Sequence, residues 1–266
     1  MTTGRIYVGV GGWSFAPWRE AFYPPGLPTS HELEYASRHL TSIEINATFY
    51  RTQTRETYLS WRDQTPEGFV FSVKAPRYAM SRRTPHDVKE SIAHFFDSGV
   101  AALGEKLGPV LWQFPPTRKF DPDFCAAFLS ALPRESEGVA LRHAIEARDE
   151  SFVTSEFIAL ARAHHAAIVV EGDSDFPLIA DLTAPFVYAR IMGTRASRKQ
   201  GYDRERLDLW AARAQKWAEG GAPGDLPRIC ANTPKRSGRD VYLYVIRGAK
   251  EKNPAAAMAL IERLQK

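Results

Sequence analysis

The stretch that decides the fold of this chain is SIEINATFYR, residues 42–51. Ile43 and Ile45 alternate with Glu44 and Asn46, and a period of two places the two pairs on opposite faces of a β-strand. The apolar face can pack under helices, whereas a face that carries Glu and Asn needs a polar interior. The carboxyl-terminal mouth of a (β/α)₈ barrel is such an interior. An amphipathic surface strand gives the same alternation, so the rest of the chain must decide.

Strand-like and helical patterns alternate along the chain on both sides of this stretch. Strands are predicted near residues 5–11, 42–48, 69–75, 109–114, 139–148, 167–171, 186–191 and 240–246. Helices are predicted near residues 32–39, 56–64, 88–103, 122–131, 155–165, 204–219 and 254–265. This order indicates an α/β fold with a parallel sheet. Polar residues follow nearly every strand, and no GxGxxG or P-loop follows the first one. We therefore predict a (β/α)₈ TIM-type barrel, somewhat irregular, with a polar pocket at its carboxyl-terminal mouth.

Length and composition fit one such domain. The chain has 266 residues, of which 44% are hydrophobic and 12% aromatic, and barrels of this type need about 250 residues. Disorder is excluded by this apolar content. We predict a single barrel domain over residues 1–266, with a Gly- and Pro-rich loop insertion at residues 220–239 before the last strand.

Charge and cysteine content indicate which ligands and which cellular location the sequence is compatible with. The net charge of +4 permits an anionic ligand without requiring nucleic acid. Cys125 and Cys230 lack metal-ligand spacing and do not suggest a disulfide framework. Neither a signal peptide nor an apolar run of about 18 residues is visible, which predicts a cytoplasmic protein without membrane contact.

Alternation places a set of polar side chains at the predicted mouth. The set comprises Glu44, Asn46, Lys74, Gln113, Glu146, Arg148, Glu171, Asp173, Tyr188 and Arg190. Any one of them is ordinarily a structural ion-pair or hydrogen-bond partner. Because they come from five or more strands, we expect most of them to share one pocket.

The residue types in this set suggest three roles. Glu44 and Glu146 can form a general acid/base pair if their surroundings separate their pKa values. Lys74 is either a desolvated nucleophile that forms a Schiff base or a cation that pairs with these glutamates. Arg148 and Arg190 present planar donors that suit phosphate or carboxylate, with an internal ion pair to Glu146 as the alternative.

Aromatic and basic loops surround the predicted mouth. Trp13, Phe15 and Trp18 lie in the first loop, and Phe49 and Tyr50 in the second. Such rings can stack on a sugar or base, or simply exclude water. The loop at residues 195–202 is a candidate for contacting phosphate. The predicted catalytic residues are Glu44, Glu146 and Lys74, and the predicted substrate-binding residues are Trp13, Asn46, Tyr50, Gln113, Arg148, Tyr188 and Arg190.

Three motifs resemble the YecE-like family, also called the domain of unknown function 72. They are GVGGWS at residues 9–14, EINATFY at 44–50 and KLGPVLWQFPP at 106–116. Supporting blocks begin at Thr65, Glu146 and Tyr188, and the likeness covers almost the whole chain. The resemblance implies a TIM barrel, in agreement with the strand pattern, and does not specify a reaction.

The chain departs from this family pattern at three places. Met192 stands where the family usually has His, and Val245-Ile246-Arg247 replaces a Phe-Asn-Asn run. Phe152 replaces a Trp. These changes leave open a different ligand or a lost activity.

The sequence leaves several functions open. The favoured one is an enzyme that uses acid/base chemistry on a phosphorylated or other anionic small molecule. One alternative is a nucleic-acid-binding or nucleic-acid-cleaving barrel, suggested by a pI near 9.0. The other is a non-catalytic ligand-binding barrel. The cofactor is unknown, since no organic cofactor motif is present. A divalent metal at Glu44, Glu146 and Glu171 is the metal alternative to a metal-free site.

Overall fold

The predicted barrel is confirmed by the computed structural model, which describes residues 3–82, 84–232 and 238–265. The strands are β1 (Ile6–Gly11), β2 (Ser42–Ile45), β3 (Val70–Lys74), β4 (Leu107–Gln113), β5 (Glu135–Ser136), β6 (Val139–Ala140), β7 (His143–Glu146), β8 (Ala167–Ile168), β9 (Val170–Gly172), β10 (Phe186–Ile191) and β11 (Asp240–Val245). Within the described residues, β5 and β6 form a small antiparallel pair, and the others form a nine-stranded sheet in the order β8-β7-β4-β3-β2-β1-β11-β10-β9. Every neighbouring pair in that sheet for which a register is assigned runs parallel.

The two ends of the sheet meet in one segment of chain. Only Val169 separates β8 from β9, and its N–H donates to the carbonyl of Ile145 at 2.9 Å. The sixth predicted strand is thus two short strands, one paired with β7 and the other with β10. The barrel closes at this interruption.

Helices surround the barrel between most strands. They are α1 (Trp18–Ala21), α2 (Glu32–His39), α3 (Ala47–Tyr50), α4 (Arg55–Asp63), α5 (Arg77–Ser81), α6 (Pro85–Asp97), α7 (Pro122–Ala131), α8 (Ser155–Ala163), α9 (Arg204–Ala218) and α10 (Asn253–Leu264). Short 3₁₀ helices cover Thr29–His31, Val100–Lys106, Glu150–Phe152 and Lys250–Lys252. No helix among the described residues combines the length and apolar character that crossing a membrane requires.

Two further predicted elements differ from the structure. The helix expected at residues 88–103 ends at Asp97, because Gly99 adopts a left-handed φ of 95° before the 3₁₀ helix begins. The strand expected at 139–148 contributes only His143–Glu146 to the barrel. Its first residues pair with β5 instead, across a turn in which Glu137 and Gly138 have φ of 48° and 78°.

The predicted loop insertion at residues 220–239 lies partly outside the described residues, because 233–237 are not among them. Residues 220–232 and 238–239 contain no helix or strand. Asp181 holds part of this segment by accepting hydrogen bonds from the backbone N–H groups of Ile229 and Cys230. The N–H of Ala180 also donates to the Pro227 carbonyl.

Strand alternation sorts the apolar residues into two layers, as β2 shows. Ile43 and Ile45 lie in the large core between sheet and helices. Ser42 and Glu44 point into the barrel, where Ser42 Oγ lies 2.8 Å from the Tyr244 hydroxyl. A second apolar cluster fills the lower interior with Tyr, Phe, Leu, Val and Ala side chains. The interior therefore changes from apolar at its base to polar at its mouth.

Gly9 allows β1 and β2 to approach closely, which gives the first prediction. Gly9 is in register with Ser42, and a Cβ at position 9 would overlap the Ser42 carbonyl. Gly9→Ala should lower the free energy of unfolding by about 2 kcal/mol or more, since overpacking forces strands apart. Chemical denaturation measures it. Gly224→Ala, where nothing lies within 4 Å of the added methyl group, is the control. Equal stability of the two variants would contradict this packing.

Candidate functional site

The polar interior of the mouth is organised around Arg190 of β10. Its Nη1 donates to Oε1 of Glu146 at 2.6 Å, and its Nη2 donates to Oε1 of Glu44 at 3.1 Å. Arg190 is 3% exposed and both glutamates are fully buried. Because β2, β7 and β10 are not neighbours in the sheet, the guanidinium joins three strands across the barrel interior. Buried charges are stable only when paired in this way.

Strand register explains why these side chains meet. Glu44 is aligned with Gly11, Glu146 with Gln113, and Arg190 with Glu171. Each lies near the carboxyl end of its strand, and in a parallel barrel these ends share one rim. The predicted meeting of strand-end polar residues therefore has a simple geometric basis.

Glu146 is the most heavily hydrogen-bonded carboxylate of this group. Besides Arg190, it accepts from Nε and Nη2 of Arg148 at 2.9 and 2.6 Å, and from Nε2 of Gln113 at 2.6 Å. Burial by itself would raise the pKa of Glu146. Arg190, a hydrogen bond from Glu171, and Arg148 outweigh that effect and hold the pKa below its usual range. Glu146 is therefore ionised at neutral pH.

The pKa of Glu171 in β9 is shifted in the opposite direction to that of Glu146. Glu171 is 1% exposed, and its closest cation is Arg148, whose Nε lies 3.6 Å from Oε1. No N–H or O–H group of the described residues donates a hydrogen bond to either of its oxygens. Burial, and then the contact with Glu146, raise the pKa of Glu171. The neutral acid is the form that fits this position, and its O–H donates to Glu146.

Lys74, the last residue of β3, lies in the same mouth. Its Nζ is 3.9 Å from the centroid of the Phe49 ring, and the side chain is 8% exposed. Within the described part of the chain, its ammonium has no carboxylate within ion-pair distance. Burial lowers the pKa of Lys74 to about 8, helped by Arg190 and opposed by Glu44 and Glu146. This amine therefore changes its protonation state near physiological pH.

Tyr188 supports Glu44 from below. Its hydroxyl donates to Oε2 of Glu44 at 2.7 Å and lies 2.8 Å from Oγ of Ser72. Burial, and then the charge of Glu44, raise the pKa of Tyr188 well above its ordinary value, so that the phenol remains a donor. The predicted site residue Tyr188 thus positions Glu44.

A cavity of about 520 Å³ opens at the mouth beside this ionic cluster. Arg190 connects the two, because it lines the cavity as well as binding the glutamates. The cavity is lined by Gly11, Gly12, Trp13, Ser14, Asn46, Ala47, Tyr50, Arg190, Ile246, Arg247, Lys250 and Asn253. Its volume lies within the range that is usual for small-molecule sites. The predicted substrate-binding residues Trp13, Asn46, Tyr50 and Arg190 all border it.

The aromatic residues of the first two loops have different positions. Trp13 is fixed by a hydrogen bond from the Tyr23 hydroxyl to its carbonyl and by edge packing on Trp61, with ring centroids 5.2 Å apart. Tyr50 is 78% exposed at the cavity rim. Trp18, by contrast, is fully buried and donates its indole N–H to the Lys250 carbonyl at 2.8 Å. Trp18 is therefore structural and does not face a ligand.

Asp173 and the loop at residues 195–202 lie apart from the central cluster. Asp173 accepts from the Trp210 indole at 2.8 Å and pairs with Arg206 at 3.3 Å. A smaller cavity of about 270 Å³ is bordered by Asp173, Arg195, Arg198 and Arg206. The expectation that Asp173 joins the other polar residues in the interior is wrong, because its carboxylate binds α9.

The metal alternative at Glu44, Glu146 and Glu171 does not fit the observed arrangement. Among the described residues, no cluster of three or more His, Cys, Asp or Glu side chains has a geometry that could hold a metal ion. Arg190 binds the first two carboxylates, and the raised pKa of Glu171 disfavours the deprotonated form that a metal requires.

Strand-end reasoning missed several residues of the mouth. Lys250 and Asn253 border the cavity, but they lie beyond the last strand, in a pattern typical of the closing helix. Arg247 was noted only as a family departure. Phe176 was also missed, and the guanidinium carbon of Arg148 lies 4.3 Å from the centroid of its ring. The sequence indicates these residues only through their location in segments that follow predicted strands.

A protein family and two named relatives resemble this chain, over shares of its length that differ. A family model described as "Protein of unknown function DUF72" matches residues 7–266. The UPF0759 protein YecE of Escherichia coli (strain K12) is 27% identical over 241 residues, which are 82% of this chain and 84% of that protein. The UPF0759 protein YunF of Bacillus subtilis (strain 168) is 33% identical over 116 residues, which are 42% of this chain and 40% of that protein.

Solved structures agree with this relationship at the level of the fold. A DUF72 family protein from Thermotoga maritima MSB8 superposes with a TM-score of 0.75 at 21% identity, covering 98% of this chain and 100% of that one. A DUF72 family protein from Enterococcus faecalis V583 gives a TM-score of 0.74 at 16% identity, covering 98% and 96%. The resemblance of the three sequence motifs is confirmed, and the chain belongs to the DUF72 family.

Proposed function

We propose that this protein is an enzyme that uses acid/base chemistry on a phosphorylated or otherwise anionic small molecule bound in the mouth cavity. The observation that carries this proposal is Lys74, a buried amine with a pKa of about 8 near Arg190, the residue that joins the interior cluster to the cavity. Proton transfer is most effective when the pKa of the group lies near the working pH. Perturbed groups of this kind concentrate at functional sites.

The ionic cluster supports a division of roles among the predicted residues. Lys74 is the group that exchanges a proton with the ligand. Glu44 and Glu146, predicted as an acid/base pair, both bind Arg190, and this contact supports a positioning role for them. Glu171 holds a further proton next to Glu146. A proton lost from Lys74 can therefore be balanced within the cluster without leaving an unpaired buried charge.

The same contacts favour a second candidate, a ligand-binding barrel without turnover. Both guanidiniums that were predicted to clamp an anion, Arg148 and Arg190, already bind Glu146. Buried ion pairs of this kind can stabilise the fold without taking part in catalysis. The two candidates differ in whether a bound ligand is converted.

Binding and turnover of a panel of phosphate monoesters and small carboxylates distinguish the enzyme from the ligand-binding barrel. Calorimetry identifies the compounds that bind, and nuclear magnetic resonance follows each bound compound for conversion. Lys74→Met should leave binding within about tenfold and reduce turnover by about 10²–10⁴-fold, the usual contribution of a general base. Lys89→Met on the exposed face of α6 is the control. Conversion that survives in Lys74→Met would contradict the role of Lys74, and ligands bound but never converted would support the second candidate.

The pKa of Lys74 also predicts a pH dependence of stability that needs no ligand. Between pH 8 and 10.5 the unfolded chain holds a proton on Lys74 that the folded protein has lost, so the free energy of unfolding rises with pH. Relative to that of Lys74→Met, the free energy of unfolding of the wild-type protein should increase by on the order of 3 kcal/mol from pH 8 to 10.5. Below pH 8 the difference should be constant.

Denaturant titrations at a series of pH values measure this difference. Lys89→Met, which removes an exposed lysine, should show almost no such trend. A wild-type protein that gains nothing relative to Lys74→Met between pH 8 and 10.5 would show that Lys74 is not desolvated.

A further inference from the structure

Two cations at the mouth cavity have no carboxylate partner. Arg247 and Lys250 both border the cavity, and neither forms an ion pair within the described residues. None of the residues that line the cavity, as far as the chain is described, is acidic. The guanidinium of Arg148, in contrast, is bound to Glu146, and that of Arg198 to Asp203 at 2.8 Å. The positive charge of the cavity is therefore uncompensated.

Aromatic rings hold both cations in place. Nζ of Lys250 lies 4.2 Å from the centroid of Phe15, and Cζ of Arg247 lies 5.4 Å from that of Phe176. Such contacts orient a cation without neutralising its charge. Burial also lowers the pKa of Lys250, an effect that a bound anion would oppose.

The backbone at Arg247 is held in an uncommon conformation. Arg247 has a φ of 60° although it is not glycine, and Gly248 follows with a φ of 58°. Thr194 stabilises this turn, since its carbonyl accepts from the Ala249 N–H at 2.9 Å. Its Oγ1 donates to Oδ1 of Asn253 at 2.8 Å and lies 3.2 Å from the Arg247 carbonyl. Left-handed non-glycine residues concentrate at functional sites, where the surrounding structure supports them. The turn fixes where the Arg247 side chain leaves the backbone.

Two further groups at the cavity favour an anion. Helix α10 starts at Asn253, which borders the cavity, and its first turn contains no acidic residue and no side-chain cap. The positive end of its macrodipole attracts negative charge. Arg190 adds a further positive charge to the cavity lining, although its Nη1 and Nη2 are bound to Glu146 and Glu44.

We propose that Arg247 and Lys250 bind the phosphoryl group of a phosphate monoester. The two uncompensated positive charges match the charge of about −2 that a phosphate monoester carries at neutral pH. A carboxylate would neutralise only one of them. This subsite names the ligand class of the proposed function and rests on it.

In this proposal the organic part of the ligand lies against Trp13 and Tyr50, which also line the cavity. Trp13 is fixed by Tyr23 and Trp61, and Tyr50 presents an exposed ring. Rings of this kind stack on a sugar or an aromatic group. Phenyl phosphate, which joins a ring to a phosphate monoester, is therefore a suitable test compound.

Calorimetry with phenyl phosphate, benzoate and phenol at low ionic strength tests the subsite. The wild-type protein should bind phenyl phosphate more tightly than benzoate and phenol, and inorganic phosphate should compete. Arg247→Gln and Lys250→Gln should each weaken phenyl phosphate binding about tenfold or more, as is usual for charged hydrogen bonds. Lys89→Gln removes the same charge away from the mouth and should change affinity less than twofold. Circular dichroism confirms that each variant is folded.

The outcomes separate this subsite from the proposed function. Equal weakening in Lys89→Gln, or unchanged affinity in the Arg247→Gln, Lys250→Gln double variant, would overturn the subsite. If only carboxylates bind and are converted, the phosphate subsite is wrong and the enzyme proposal stands. If phenyl phosphate binds through Arg247 and Lys250 but no phosphate monoester is converted, the subsite stands and the enzyme proposal fails.

Discussion

The guanidinium of Arg190 connects two glutamates from strands that do not touch one another, in the middle of the barrel. A lone buried charge would be strongly unfavourable, and removing one partner of a buried pair commonly costs about 3–5 kcal/mol. Arg190 makes Glu44 and Glu146 tolerable in the interior, and they do the same for Arg190. Tyr188 and Gln113 donate to the other oxygens of the two carboxylates, and Arg148 shares Oε1 of Glu146 with Arg190. The polar layer at the mouth depends on this contact.

The charges around that contact are distributed differently inside the barrel and at the cavity. Inside the barrel, cations and carboxylates lie close together, and burial raises the pKa of Glu171 and lowers that of Lys74. At the cavity, no such balance exists, because Arg247 and Lys250 have aromatic neighbours instead of carboxylates. The proposed proton transfer therefore belongs to the interior, and the proposed anion site belongs to the cavity. Arg190 belongs to both.

Much of the fold was predictable because it depends on local patterns. Alternation in β2 correctly placed Ile43 and Ile45 outside the barrel and Glu44 inside it. The chain breaks at Gly99 and at Glu137-Gly138 were harder to predict, since they depend on single left-handed residues. The site was predictable as a set of residues but not as a network. Which carboxylate keeps its proton depends on burial and on partners far away in sequence, as the contrast between Glu146 and Glu171 shows.

The central claim is that the barrel mouth keeps a protonated carboxyl group at neutral pH. Carboxyl-labelled glutamate in the whole protein allows nuclear magnetic resonance to follow each side chain through a pH titration. We predict one glutamate signal that remains in the protonated position at pH 7 and is absent from Glu171→Gln. A spectrum in which every glutamate has lost its proton by pH 7 would contradict the account of the cluster around Arg190.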